Sequence, residues 1–284
     1  MASRLPRKLE AMGLLLGMRP VRLPHPRIAV TLDSGEPDWA GELRPIFELL
    51  ARRRVPVTAF VCNRTESGRG NGPAVRTLTE FGQREELPVE IASHGLNHRN
   101  LAGLEPDEIA RLIQGSLDAF RTEGLDVVGF RSAELGTELR YREVLDRLGP
   151  PCPLRYDSSV CLESGLASTA LHAALRKKGP HRIGRRWELP ISALDDYHLF
   201  ARMRKTERFA LNYWTLTTRW WLNRTNYALL LLHPRHIGPR LGLLEELLTR
   251  LGAMSPRPLF ATCAEMADEL DSCHHQDRYS GETA

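Results

Sequence analysis

The chain has 284 residues, enough for one large α/β domain or two small ones, and an apolar content of 42% is sufficient for a sizeable core. Its formal net charge of +4 is spread along the chain, which argues against a nucleic-acid binder; a modest basic excess could favour anionic glycans or lipid phosphates, though a solvated surface is the plainer explanation. Five cysteines, an odd number with no C-x-x-C, argue against a disulfide framework and against a cysteine-based zinc site, and fit a reducing compartment.

Residues 1–26 are expected to be an N-terminal extension. The apolar run Met12–Met18 within it is too short to span a membrane and is broken by Gly13 and Gly17. No convincing signal-cleavage site follows, so a soluble, cytoplasmic protein is expected, with peripheral membrane contact through the N-terminus left open. Arg27–Leu32 is a β-branched run bounded by prolines and Asp33-Ser34-Gly35, which predicts a buried strand ending in a loop. Trp39–Arg54 has helical apolar spacing. Pro56–Val61 is a strand, Val75–Gln83 a helix, and Pro88–Ala92 a strand leading into Ser93-His94. Pro106–Glu123 is an amphipathic helix with Ile109, Leu112, Ile113, Leu117 and Phe120 on one face. Leu125–Phe130 is a strand closed by Arg131, and Glu138–Leu148 a helix stopped by Gly149-Pro150-Pro151. Leu154–Asp157 is a short strand, Ser158–Arg186 irregular, and Trp187–Ile191 extended. Phe209–Asn223 is helical, Tyr227–Leu232 a strand ending in His233-Pro234, and Leu241–Leu251 a helix. Pro258–Ala261 is the last strand and Thr262–Leu270 the last helix, with a disordered tail from Ser272 to Ala284.

Strands alternating with helices over residues 27–271 imply a mostly parallel sheet, and about seven repeats suit an irregular (β/α) barrel better than an open sheet. In such barrels the chemistry gathers at the C-terminal ends of the strands. Asp33, His94, Arg131 and His233 each follow a strand, and His98 comes four residues after His94. Singly, each has a plain structural explanation: a turn residue, a surface histidine pair, an ion-pair partner, a loop. Jointly they mark one mouth.

These residues sit in segments that resemble the polysaccharide deacetylases, the NodB-homology or family-four carbohydrate esterases. T-L-D-S-G at Thr31–Gly35 is similar to the family's first motif, T-F-D-D-G. S-H-G-L-N-H at Ser93–His98 resembles its H-[ST]-x-x-H. R-S-A-E at Arg131–Glu134 stands where R-x-P-[YFW] is expected. Trp187 in R-W-E-L-P-I-S stands for the looser fourth motif, and L-L-L-L-H-P at Leu229–Pro234 matches the fifth. L-R-Y-D-S-S-V at Leu154–Val160 resembles a segment common after the third motif. The order and spacing hold from about Ile28 to Met266.

The resemblance implies a hydrolase removing an N-acyl group, usually acetyl, from an amino sugar or related carbohydrate. It implies a divalent metal, usually zinc, held by His94, His98 and a carboxylate, with open positions for water and substrate. It gives Asp33 the part of general base, His233 that of the acid protonating the leaving amine, and Arg131 that of fixing the base. Glu134 and Trp187 would meet substrate.

Two departures from the family pattern bear on this. Ser34 replaces the aspartate that is the family's metal ligand, so Asp33, Glu36 or Asp38 turns in, or water fills the position, or the site is empty and the protein a carbohydrate-binding or regulatory pseudoenzyme. Ala133 and Glu134 replace the proline and aromatic of the third motif. Together with the missing secretion signal, this favours a nucleotide-sugar, a glycolipid precursor or another small N-acyl compound over chitin-type polymers; deformylation and other C–N hydrolysis remain alternatives on the same scaffold. Trp214, Trp220, Trp221 and Tyr213, at helical spacing, are expected to form a packed or interfacial face, not a sugar platform. Arg235 and His236 are expected in a solvated loop, and His274 and His275 in the tail.

Overall fold

A computed structural model of the protein describes residues 21–35, 42–64, 68, 70–101, 103–135, 144, 148, 152–161 and 179–280. Among the described residues, nine strands form one sheet. They are β1 (Arg27–Ser34), β2 (Val57–Val61), β3 (Val89–Ser93), β4 (Gly129–Phe130), β5 (Tyr156–Asp157), β6 (His181–Ile183), β7 (Arg186–Glu188), β8 (Tyr227–Leu232) and β9 (Leu259–Phe260). The order is β6-β7-β5-β4-β3-β2-β1-β8. Seven of these strands run parallel in ring order β7-β5-β4-β3-β2-β1-β8. Beyond the end of β7 the Ser192 N–H donates to the Leu229 carbonyl at 2.9 Å, which links the two ends of the curled sheet. The expected irregular barrel of about seven strands is therefore what forms. β6 is an antiparallel addition to β7, and β9 takes the β2 side of β1 at Arg27 and Ile28, before β2 begins its pairing at Val30.

Both faces of this sheet are buried, which is why β8 is an unbroken apolar run and Ile28–Leu32 of β1 is broken only by Thr31. Alternation along β1 divides the core. Ile28, Val30 and Leu32 point to the outer layer, which includes Ile46, Phe47 and Leu50 of α1 (Arg44–Arg53), Leu78 of α2 (Gly72–Arg84) and Ile113 and Phe120 of α3 (Pro106–Thr122). Ala29 points inward, with Phe60, Ala92, Tyr156, Trp187, Leu229 and Leu231. α3 begins with Pro106 in its first turn followed by Asp107 and Glu108, and has Arg121 in its last turn, so its charges oppose the helix dipole at both ends. α4 (Glu207–Thr225) starts with the Thr206 side chain accepting from the Phe209 N–H, and α5 (Leu241–Gly252) packs beside it.

The last helix, α6 (Cys263–Ser280), closes the N-terminal end of the barrel. Cys263, Met266, Ala267 and Leu270 join the interior cluster, and Arg27 at the start of β1 meets Glu269 at 2.7 Å. This corrects the expected tail: the helix runs through Ser272 to Ser280. His274 lies on it, its ring 6.0 Å from that of Trp187. The extension is corrected too, because Leu23 is buried and its N–H donates to the Thr225 carbonyl. The expected strand Leu125–Phe130 is shorter, and most of the expected helix Glu138–Leu148 lies outside the described residues.

One carboxylate ties the barrel floor together. Glu90 of β3 accepts from Thr58 Oγ1 at 2.8 Å, Tyr156 Oη at 2.6 Å and the Ala264 N–H at 2.9 Å. Gly129 permits this, since a Cβ there would overlap the Tyr156 ring. Glu90→Ala strands three donors inside the protein and is expected to lower the unfolding free energy by about 3 kcal/mol, read from urea denaturation. A loss below about 1 kcal/mol would contradict this account of the floor.

Candidate active site

The C-terminal ends of β1, β3, β4 and β8, with the loop after β7, enclose a cleft of about 830 Å³. Asp33, Ser34, His94, His98, Glu134, Asp195, His198, His233 and His236 line it. Four of the strand-end residues expected to converge do so: Arg131, fully buried, lies directly beneath the cleft and reaches Asp33.

Arg131 organises one wall. Its Nη1 donates to Asp33 Oδ1 at 2.5 Å and to Thr31 Oγ1 at 2.8 Å, while Nε and Nη2 donate to the carbonyl and hydroxyl of Ser158 at 3.0 and 2.8 Å. The guanidinium also lies 3.9 Å from the centre of the Phe60 ring. A buried cation demands this saturation, and the result is a carboxylate held in one orientation.

His94 stands next to that carboxylate. Its Nδ1 is 3.0 Å from the Arg131 carbonyl, which can only accept, so Nδ1 carries the proton and Nε2 presents a lone pair. Burial drives the His94 pKa down to about 4, and the ring is neutral near pH 7. Nε2 lies 3.9 Å from Asp33 Oδ2. The His98 ring is 5.2 Å from that of His94, set by a left-handed backbone (φ 55°) and seated on Gly35, where a Cβ would come within 2.8 Å of His98 Cδ2. His94 Nε2 and Asp33 Oδ2 are near enough to face one ion, yet among the described residues His94, His98 and Asp33 do not bring three ligand atoms within 4.8 Å of one another. Ser34, 8% exposed, lines the same wall. Glu36 and Asp38 lie outside the described residues.

The opposite wall was not foreseen. Asp195 and Asp196 begin the D-D-Y-H segment beyond β7. Asp196, fully buried, accepts from His233 Nδ1 at 2.7 Å and from the His233 N–H at 2.9 Å. Burial pushes the His233 ring down, but the Asp196 hydrogen bond and charge, helped by Asp33 and Asp195, outweigh it and carry its pKa up to about 9. Asp195 likewise accepts from His198, Nδ1 at 2.8 Å and N–H at 2.7 Å, which pulls its pKa down against burial. Among the described residues, ligand atoms of Asp195, Asp196 and His233 all lie within 4.8 Å of one another. Asp196 and His233 already satisfy each other, so we assign this group to holding the imidazolium.

The remaining expectations divide. Glu134 is on the cleft wall with φ 57° and accepts from Asn100 Nδ2 at 2.6 Å. Arg235 and His236 line the cleft instead of a plain solvated loop. Trp187 requires correction: it is fully buried inside the barrel with Met266 and Leu270, and its Nε1 donates to Asp271 at 2.8 Å, so it cannot touch a substrate in the cleft. The fourth-motif position was sought on the strand; the polar residues lie beyond its end, at Asp195 and Asp196. Two adjacent acids after an extended segment were the available signal.

The family model described as polysaccharide deacetylase matches residues 21–150. Over those residues the chain is similar to the polysaccharide deacetylases. This stretch contains Asp33, His94, His98 and Arg131. Among solved structures, a Mycobacterium smegmatis protein assigned as a polysaccharide deacetylase superposes with a TM-score of 0.68 at 18% identity, over 90% of this chain and 96% of its own. PuuE allantoinase superposes with a TM-score of 0.66 at 14% identity, over 88% and 94%. A family-four carbohydrate esterase pseudoenzyme from Bacillus anthracis gives a TM-score of 0.55 at 15% identity, over 88% and 68%. At these identities the likeness establishes the deacetylase-type barrel fold alone. No curated protein matches the chain in sequence.

The His233–Asp196 pair has a thermodynamic signature. The folded ring keeps its proton up to about pH 9, while the unfolded ring loses it near 6.5. The folded state therefore binds more protons between these values, and the stabilisation present below pH 6.5 is lost as pH rises toward 9. Urea midpoints of chelator-treated protein should fall across that window, and the slope should vanish in Asp196→Asn. A slope unchanged in Asp196→Asn would contradict the pairing.

Proposed function

We propose that this chain is a metal-dependent hydrolase that removes an N-acyl group, acetyl in the first instance, from an amino sugar or amino-sugar conjugate. The observation that carries the reading is the facing pair of walls: a carboxylate clamped by a buried arginine beside a neutral histidine on one side, and a histidine held protonated by a buried aspartate on the other. That is the division between base and acid that amide hydrolysis at neutral pH requires. His94 and His98, beside Asp33, are the residues that would hold a divalent ion, with zinc the natural candidate for a pair of neutral imidazoles. When bound, such an ion acidifies water and polarises an acyl carbonyl.

The protein's own groups supply the rest. Asp33 Oδ2, the oxygen not taken by Arg131, accepts the proton of the attacking water. Arg131 keeps that carboxylate from rotating. His233 Nε2, turned away from Asp196 by the Nδ1 bond, donates its proton to the departing amine, without which the C–N bond does not break. Glu134 contacts polar groups of the sugar. Hydrolysis of N-acetylated chito-oligomers, monomeric N-acetylamino sugars and their nucleotide and lipid conjugates, assayed for released acetate with added zinc or cobalt, tests the reading. Release from conjugates or monomers is expected, whereas release from polymer alone, or from none, would contradict it.

One observation favours a second reading, a binding or regulatory protein on the same barrel: Ser34 supplies a neutral hydroxyl where the family has a carboxylate ligand. Ser34→Asp distinguishes the two. Adding an anion to this wall is expected to tighten zinc binding tenfold or more, read by competition with a chelating dye. If acetate release appears only in Ser34→Asp, the wild-type chain is the binding protein; if wild type already releases acetate, it is the enzyme.

A further inference from the structure

The outer side of α4 carries an apolar stripe that the barrel does not use. Phe209, Tyr213, Leu216 and Trp220 recur at the spacing that keeps residues on one side of a helix, and Phe209, Leu216 and Trp220 are 44%, 64% and 39% exposed. The Phe209 and Tyr213 rings stack with centres 6.2 Å apart. The opposite side of the helix, with Ala210, Leu211, Trp214, Thr218 and Trp221, is the one packed into the core. The expected packed or interfacial tryptophan face is thus split: Trp214 and Trp221 pack, and Trp220 faces out.

The charges around the stripe have one sign. Arg208, Arg219 and Arg224 flank it, and Arg202, Arg204 and Lys205 precede it. Lys205 Nζ is 5.1 Å from the Phe209 ring centre, and the Arg224 guanidinium is 4.8 Å from that of Trp220. Glu207, the helix's only acid, lies on another side and faces Arg240 at 3.4 Å. On neighbouring α5, Glu245 pairs with Arg53 and Glu246 with Arg250. Exposed aromatic and aliphatic tips ringed by arginine and lysine, with no acid on that arc, suit the boundary between anionic headgroups and acyl chains.

We infer that this face docks the protein on the surface of an anionic lipid bilayer. Charge complementarity selects this occupant. A second copy packed on the same face would set arginines against arginines. Residues Met1–Pro20 carry Arg4, Arg7, Lys8 and Arg19 against Glu10, so they too have the wrong sign to cover it. The docking is peripheral: among the described residues, no helix is long and apolar enough to cross a membrane. Position gives it a use. α4 starts five residues after Arg202, which lines the cleft with Tyr197. A bilayer against α4 therefore brings its headgroups to the cleft mouth. The docking itself does not rest on the hydrolase reading, and the two can fail separately.

The test is flotation of the full chain with phosphatidylcholine vesicles, with and without phosphatidylglycerol. Binding is expected only to the phosphatidylglycerol vesicles and should weaken with salt. Replacing Arg208, Arg219 and Arg224 together by Gln should weaken it roughly a hundredfold, and Leu216→Asp about tenfold. These positions are exposed, and unchanged circular dichroism and urea midpoints show that the variants fold. Four outcomes overturn the inference: no flotation, equal flotation with both vesicle types, flotation that both variants retain, or a concentration-dependent dimer abolished by Leu216→Asp without vesicle binding. Tight binding of a single-stranded oligonucleotide in place of vesicles would likewise overturn it.

Discussion

Asp33→Asn is expected to lower kcat/KM for N-acyl hydrolysis by about three to four orders of magnitude, the upper part of the range for loss of a positioned general base. The amide keeps the size of the side chain and can still accept the Arg131 hydrogen bond, so the barrel should fold. What disappears is the anionic oxygen facing His94, 3.9 Å from its Nε2. That oxygen is the proton acceptor, so the rate should fall. A variant retaining more than about a tenth of wild-type kcat/KM would show that Asp33 is not the base.

His233→Gln is the second large effect, an expected loss of about two to three orders of magnitude in kcat/KM on substrates with a poor amine leaving group. The deficit should shrink on an activated anilide, whose nitrogen needs no protonation to depart; an equal deficit on both would remove His233 from the acid role. The wild-type rate should decline as pH rises through about 9, where the ring loses its proton. In Asp196→Asn that alkaline limb should move down toward the ordinary histidine value, because the hydrogen bond and charge that raise the pKa are gone while the burial that lowers it remains.

The fold was legible where the chemistry of a segment is uniform. β1 and β8 are buried on both faces, so β8 is written as an unbroken apolar run and Ile28–Leu32 of β1 as one broken only by Thr31, and α3 shows its buried face at helical spacing. β4 and β5 have only two residues each, and β9 is a two-residue wedge beside the start of β1; such short pairings depend on neighbours, not on local pattern. The tail was misjudged because Ser272 onward is polar in composition. Its helix instead continues from partners remote in sequence, with Arg155 reaching Asp268 and Asp271, and Trp187 reaching Asp271.

The site was legible on the side where each functional residue ends a strand. Asp33, His94, Arg131 and His233 follow directly from that placement. Asp195, Asp196 and His198 were hidden because they lie beyond a three-residue strand that ends at Glu188, after an extended stretch whose tryptophan drew attention to the wrong place. A tryptophan in a sugar-binding family invites a role as platform. The interior of a small barrel, however, needs large apolar side chains just as much, and Trp187 fills it.

The proposed chemistry needs His94 and His98 to hold a metal beside Asp33, with Ser34 in place of a carboxylate ligand. The most direct test is the metal content of protein purified without chelator, followed by zinc titration of the stripped protein and of His94→Ala. One equivalent of divalent metal is expected in the wild type, recovered on adding zinc and lost in His94→Ala. No metal in the wild type and no uptake of zinc, or uptake that His94→Ala retains in full, would contradict it.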